Sequence, residues 1–296
     1  NKVKKRIILI LIMTLTLLSG CKLNIDTDSM KDIKVYTTIY PIRYLIDSLY
    51  GTNSTIYSIY PSGVEPKEFQ ISDKKLEEYS QADLFVFNSL DKERDYAVKM
   101  INKNKKLKII DVSMGMTYDN DIAELWLNPY NYLMMAQNTK NGLLEYISNP
   151  YLITNDEGTG VEDKYEALKY DLSRLDADIK ETISLSSYDT IVVDNDVFNF
   201  LSKYNLNVIS LEEDDKLTDI KINEVKKLIN EGKIKYIYSS KTETNNTCKK
   251  LIEDYGVELV TFNTMETVDG GITNSNENYV TVMNNNLELL NKELYK

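Results

Sequence analysis

Two short segments hold the residues whose types and spacing come nearest to chemistry: Gly63-Val64-Glu65-Pro66-Lys67-Glu68-Phe69 and Glu124-Leu125-Trp126-Leu127-Asn128-Pro129. Both look like frames built to hold a histidine, yet the 296 residues contain none. Imidazole is the commonest metal ligand and the usual proton shuttle near neutral pH, so its absence removes most hydrolase and metalloprotease chemistries. The chain has no Gly-x-x-x-x-Gly-Lys phosphate loop, no dinucleotide fingerprint and no histidine-based triad. Ser72-x-x-Lys75 matches a short nucleophile pattern, but Ser72 reads as the N-cap of a helix. The chain is therefore not read as an enzyme.

The elements that must position these segments alternate regularly. Strand-like runs at 35–39, 55–59, 84–87 and 107–111 are separated by helical stretches at 42–49, 74–80 and 91–102. Pro129 is placed as the first residue of a helix running to about Ile147. A turn-rich break over 149–160 precedes a stretch from Val161 to Leu185 without Gly or Pro. There Tyr165, Leu168, Leu172, Leu175, Ile179 and Ile183 recur at helical steps. That spacing predicts one helix of about 24 residues, ~36 Å long. The alternation then resumes, with strands at 190–193, 208–211, 236–239 and 258–262 and helices at 198–204, 222–231, 244–255 and 276–295. The fold class this implies is α/β, as two lobes, each a mainly parallel sheet flanked by helices, joined by the long helix. The length allows two modest lobes with separate cores. The acidic runs 120–124 and 212–215 read as solvated loops.

The amino-terminal region reads as an export signal. Lys2, Lys4, Lys5 and Arg6 precede an apolar run from Ile7 to Leu18. That run is shorter than the ~20 residues a membrane-spanning helix needs. It ends in Leu18-Ser19-Gly20-Cys21, which resembles a lipoprotein lipobox with Cys21 as the acylated residue. Lipidation of Cys21 leaves Cys248 alone and no intramolecular disulfide. The expected organisation is a signal peptide over 1–20, a lipidated tether over 21–33, an N-terminal lobe over 34–160, a connecting helix over 161–185 and a C-terminal lobe over 186–296. Without the four basic residues of the signal, 31 basic and 46 acidic side chains remain, a net charge of −15. Such a surface repels polyanions, which excludes a nucleic-acid partner.

In order along the chain, Thr38-Ile39-Tyr40-Pro41, the Gly63–Phe69 loop, Ala82-Asp83-Leu84-Phe85-Val86-Phe87-Asn88, Glu124–Pro129 and Asn278–Met283 resemble the motifs of the solute-binding lipoproteins of zinc- and manganese-type ABC importers. The resemblance implies a solute held between the lobes, zinc or manganese as that solute, and a membrane permease with its cytoplasmic ATPase as partners. It also implies a protein anchored by lipid on the extracytoplasmic face of the cell membrane. The family's four metal-ligand positions fall on Lys67, Glu124, Asn195 and Glu266, where the family carries histidines and a carboxylate. A protonated lysine has three donors and no lone pair to give. The altered set therefore leaves two expectations open. One is a hard-ion site of Glu124, Glu266 and the Asn195 carbonyl. The other is a metal site lost to Lys67, with its ammonium paired to Glu124 and Glu266 and held by the Asn195 carbonyl; the scaffold would then serve as a binding module for another solute or as an adhesion or docking protein.

Overall fold

The structure is a computed structural model and describes residues 29–296. The expected signal segment and Cys21 lie outside the described residues. The first half runs β1 (Ile33–Thr37), α1 (Tyr40–Tyr50), β2 (Ser54–Ser58), α2 (Asp73–Tyr79), β3 (Leu84–Phe87), α3 (Glu93–Lys103) and β4 (Lys108–Asp111). Its four strands are parallel, in the order β2-β1-β3-β4. Next come α4 (Glu124–Leu127), α5 (Pro129–Tyr146), α6 (Pro150–Ile153) and the long α7 (Val161–Ser184). The second half contains β5 (Thr190–Val193), a 3-10 segment (Asp196–Tyr204), β6 (Asn207–Ser210), α8 (Asp219–Asn230), β7 (Tyr236–Ser239), α9 (Asn246–Tyr255), β8 (Glu258–Thr261) and α10 (Tyr279–Leu294). Its strands are also parallel, in the matching order β6-β5-β7-β8. The strand order reverses between β1 and β3 and again between β5 and β7. In such sheets the crevice outside the carboxyl ends of the strands at that reversal is where ligands bind.

Local chemistry sets the helix starts. Ser72 caps α2 by accepting from the Lys75 amide at 3.3 Å. Asn128 caps α5 on the Tyr130 amide, with Pro129 at the first helical position, where a missing N–H costs nothing. Along α7, Val161, Tyr165, Leu168, Leu172, Leu175, Ile179 and Ile183 are all buried, one stripe over the whole helix. That stripe packs on α1 and α5 of the first lobe and on α10 of the second.

The interior departs from the expectation of separate cores. One continuous core runs from Leu45 and Trp126 through Leu172 and Ile179 to Phe198, Phe262 and Leu290. A single apolar stripe on α7 faces both lobes, so burying it fuses their inner faces. Only the outer faces of the sheets keep cores of their own, around Phe85 and Tyr96 in one lobe and Val192 and Leu251 in the other. Cys248 lies in the latter, free and buried; burial pushes its thiol up to about 12, which makes it inert. The ordered fold also reaches into the segment expected as tether: Met30 is buried, and its carbonyl accepts the Tyr50 hydroxyl.

Glu293 on α10 is fully buried and accepts the Lys235 amide at 3.0 Å and the Tyr236 amide at 2.7 Å, where β7 begins; it also pairs with the buried Lys296 ammonium. Glu293→Ala orphans both amides and removes the cation's carboxylate, leaving it only the residue 293 carbonyl and the Tyr188 ring. The expected loss is about 3–5 kcal/mol, read as a lower urea midpoint at unchanged slope. A loss below about 1 kcal/mol, the scale of an exposed pair, contradicts this assignment.

Candidate functional site

The loop between β2 and α2 bends at Gly63, whose φ of +78° lies in the left-handed region. It is fastened from below by Lys92, which precedes α3. The Lys92 ammonium donates to the Pro66 carbonyl, to the Lys67 carbonyl at 3.2 Å and to the Phe69 carbonyl at 2.8 Å. So held, the loop presents Lys67 to the other lobe, where its Nζ lies 2.6 Å from Glu266 Oε1.

Glu266 sits on a segment that the surrounding structure over-determines. Met265 before it has a φ of +54°, a strained conformation that persists only when neighbours impose it. Asn263 imposes it by accepting the Met265 amide at 2.9 Å, and Asn286 brackets Asn263 with two hydrogen bonds. Trp126 Nε1 donates across the lobes to the Thr264 carbonyl at 2.8 Å, and the Thr264 hydroxyl donates to Glu266 Oε2 at 2.8 Å. The Tyr279 hydroxyl donates in turn to the Trp126 carbonyl. Trp126 is thus a buried strut between lobes.

Glu124 and Asn195 do not join the Lys67–Glu266 pair. The Glu124 side chain is fully buried, contrary to the expectation of a solvated acidic run. Its carboxylate accepts the Asn120 amide at 3.0 Å, the Asn120 side chain at 3.0 Å and the Asp119 amide at 3.2 Å. A carboxylate one turn ahead of its own loop satisfies those amides at close range, so it folds back onto 119–121. Asn195 spends its carbonyl oxygen on the Val197 amide at 3.0 Å, capping the 3-10 segment. Its amide donates to Asp194 at 2.7 Å and Ser240 at 2.9 Å. Burial raises the pKa of Asp194 against hydrogen bonds from Ser239, Thr244 and Asn195.

The pair lies at the rim of the cleft. The Lys67 side chain keeps 55% of its surface exposed, while Glu266 keeps 21%. Burial pulls the Lys67 pKa down, but the hydrogen-bonded Glu266 carboxylate, with Asp121 and Asp91 behind it, outweighs this and holds it above the usual value. Lys67 therefore stands as an ammonium. A second cross-lobe pair, Lys203 with Asp119 at 3.4 Å, is mostly exposed and contributes little. Among the described residues no three His, Cys, Asp or Glu side chains converge as a metal site. The sequence reading missed Thr264, Lys92 and the buried Glu93 next to Lys92 in sequence. Only Glu93 left a trace, as an acidic residue at a helix start.

A family model described as "Zinc-uptake complex component A periplasmic" (ZnuA) matches residues 35–293. The zinc-binding protein AdcA of Streptococcus pyogenes serotype M3 is 23% identical over 294 residues, covering 87% of this chain and 55% of its own length. The iron-binding protein YfeA of Yersinia pestis is 23% identical over 251 residues, covering 79% of this chain and 78% of its own. The chain thus spans about half the length of the AdcA relatives it matches. Among solved structures, the Zn(II)-bound ZnuA-like domain of Streptococcus pneumoniae AdcA superposes with a TM-score of 0.67 at 22% identity, covering 90% of this chain and all of that one. A crystal structure of ZnuA superposes with a TM-score of 0.68 at 14% identity, over 89% of this chain and all of its own. These likenesses concern the fold, two parallel-sheet lobes with a long helix between them. With the family model spanning both lobes, the chain belongs to the family of the periplasmic zinc-uptake component A.

Proposed function

We propose that this chain is an extracytoplasmic solute-binding lipoprotein of the metal-importer type whose metal seat is closed by its own lysine. One observation carries the reading: the Lys67 ammonium already occupies Glu266, at 2.6 Å. A transition metal needs several lone-pair donors at ~2.0–2.3 Å. Of the four positions, Lys67 offers none, Glu124 is engaged by its loop and Asn195 by its cap. A dication placed ~4 Å from the Lys67 ammonium is repelled by about 8 kcal/mol at an effective dielectric of 20, twice the unit-charge figure. The hard-ion alternative meets the same obstacle. The pair also favours the reading in which the scaffold no longer carries metal and binds another solute or docks a partner, since an internal cation bridges the lobes through the carboxylate a metal would use.

The remaining parts follow the family. Cys21 is assigned the lipid anchor, and among the described residues no helix is long and apolar enough to cross a membrane. A permease and its cytoplasmic ATPase are the assigned partners. A non-enzymatic role is supported by Ser72 and Lys75, whose side chains are spent on a helix cap and on Glu78 at 2.9 Å. Elemental analysis of the purified protein, then zinc and manganese calorimetry after chelator stripping, tests the proposal. No sub-micromolar binding is expected; stoichiometric sub-micromolar binding of either metal overturns it. An ordered non-metal ligand in the interlobe cleft would separate a new solute from simple loss.

A further inference from the structure

Beneath the loop that carries Lys67, three buried polar side chains converge at the strand-order reversal of the first lobe. Thr38 follows β1, Tyr60 lies two residues beyond β2, and Glu93 opens α3. Their residues are 1%, 3% and 3% exposed. Glu93 Oε2 accepts the Asn88 amide at 2.9 Å. The Thr38 and Tyr60 hydroxyls both lie beside the Glu93 carboxyl; Thr38 is already close enough to act on it as a hydrogen-bond partner, while the Tyr60 hydroxyl has none among the described residues. Buried hydroxyls left idle are rare and ask for an explanation.

The cluster grips the loop at both ends. Tyr60 leads into it and packs edge-on against Phe69, with ring centroids 6.4 Å apart. Lys92, beside Glu93 in sequence, holds its carbonyls from Pro66 to Phe69 and lies 5.9 Å from the Tyr60 ring centroid. Lys92 is thus bonded to three neutral carbonyls while its charge acts through space on the carboxyl of its neighbour. The other titratable groups about Glu93 are Asp91 on its own segment, Tyr60 beyond β2 and Tyr96 along α3.

We propose that Thr38, Tyr60, Lys92 and Glu93 form a proton-operated latch for the Lys67 loop. With its proton, Glu93 is neutral and Lys92 stays on the loop carbonyls. When Glu93 gives that proton to bulk water, the Thr38 hydroxyl donates to the carboxylate and the idle Tyr60 hydroxyl turns to join it. The new negative charge draws Lys92 off the carbonyls, and the loop loosens its hold on the Lys67–Glu266 pair. Burial, with Asp91 adding to it, places this ionisation at about 8, against the opposing pull of the Asn88 amide, the Thr38 hydroxyl and Lys92. The latch is independent of whether any metal binds.

Infrared titration of the folded protein is the direct test. A protonated-carboxyl stretch should be present at pH 7, fade toward pH 9 and be missing from Glu93→Gln. Its absence from the native protein at pH 7 overturns the proposal, and needs no variant. Loop release is read by tryptic cleavage after Lys67, resolved by fragment mass. With ionisation at about 8, the ionised fraction rises about tenfold from pH 7 to pH 9. Cleavage of the native chain relative to Glu93→Gln should rise by about the same factor. Lys92→Met should be cleaved rapidly already at pH 7, with no further rise relative to Glu93→Gln. Parallel pH profiles for the native chain and Glu93→Gln, or a native profile for Lys92→Met, overturn the coupling.

Discussion

Zinc binding at sub-micromolar affinity is expected to appear in a variant carrying Lys67→His, Glu124→His and Asn195→His. Three imidazoles and the Glu266 carboxylate make a tetrahedral N₃O donor set, and losing Lys67 removes a cation worth about 8 kcal/mol of repulsion at ~4 Å. Glu266 needs no change, because Asn263, Thr264 and the positive φ of Met265 already fix it. The substitutions carry local costs. Without the Glu124 carboxylate the Asp119 and Asn120 amides lose their acceptor, at about 1–3 kcal/mol each if they stay buried. Without the Asn195 cap the 3-10 segment loses about 1 kcal/mol. The apo variant should therefore melt below the native chain, and zinc should raise its Tm by mass action. Calorimetry and melts with and without zinc decide it. Lys67→His alone supplies too few donors and should bind weakly. A triple variant that folds yet ignores zinc would show that these four positions do not converge.

The legible features were those set by local periodicity. The α7 stripe, the apolar Leu84–Phe87 strand and the Ser72 and Pro129 helix starts are recorded in neighbours three or four residues away, and each is present. Whatever depended on distant chain was read less well. The segment before Asn205 is apolar at helical steps, yet it forms a 3-10 turn from Asp196 to Tyr204 and closes on Asn205 at a φ of +64°. Glu124 stands in a run that reads as solvated, because the burial comes from α5 and the distant 3-10 segment packing on α4. Lys67 and Glu266 are 199 positions apart, so nothing local pairs them. Lys92 has no motif; its role exists only once the loop lies across it.

Stability is expected to fall by several kcal/mol as pH rises from about 5 to 8, in a direction opposite to ordinary acid denaturation. In the folded chain the Glu93 carboxyl is pushed up to about 8 by burial, against an ordinary value of 4.5. Between those limits the native state holds a proton that the unfolded chain has released. Proton uptake then favours the native state, and raising the pH removes that advantage until both forms are ionised above about 8. The shift sets a ceiling of about 5 kcal/mol, at 1.36 kcal/mol per unit; relaxation and water entry bring the realised effect nearer ~3 kcal/mol. Asp194, also raised by burial, contributes with the same sign. Asp163, Asp269 and Glu231 are held below their usual range by hydrogen bonds and a lysine. The stability they add is present above that range and is lost only as pH falls toward it, so they do not cancel the slope. Glu93→Gln fixes the neutral form: it should match the native chain near pH 5 and exceed it by several kcal/mol at pH 8.5. Urea unfolding at pH 5, 6.5, 8 and 9 measures both curves. Parallel curves would mean that Glu93 ionises in the native state at an ordinary pH, with the Tyr60 hydroxyl already turned onto it beside Thr38.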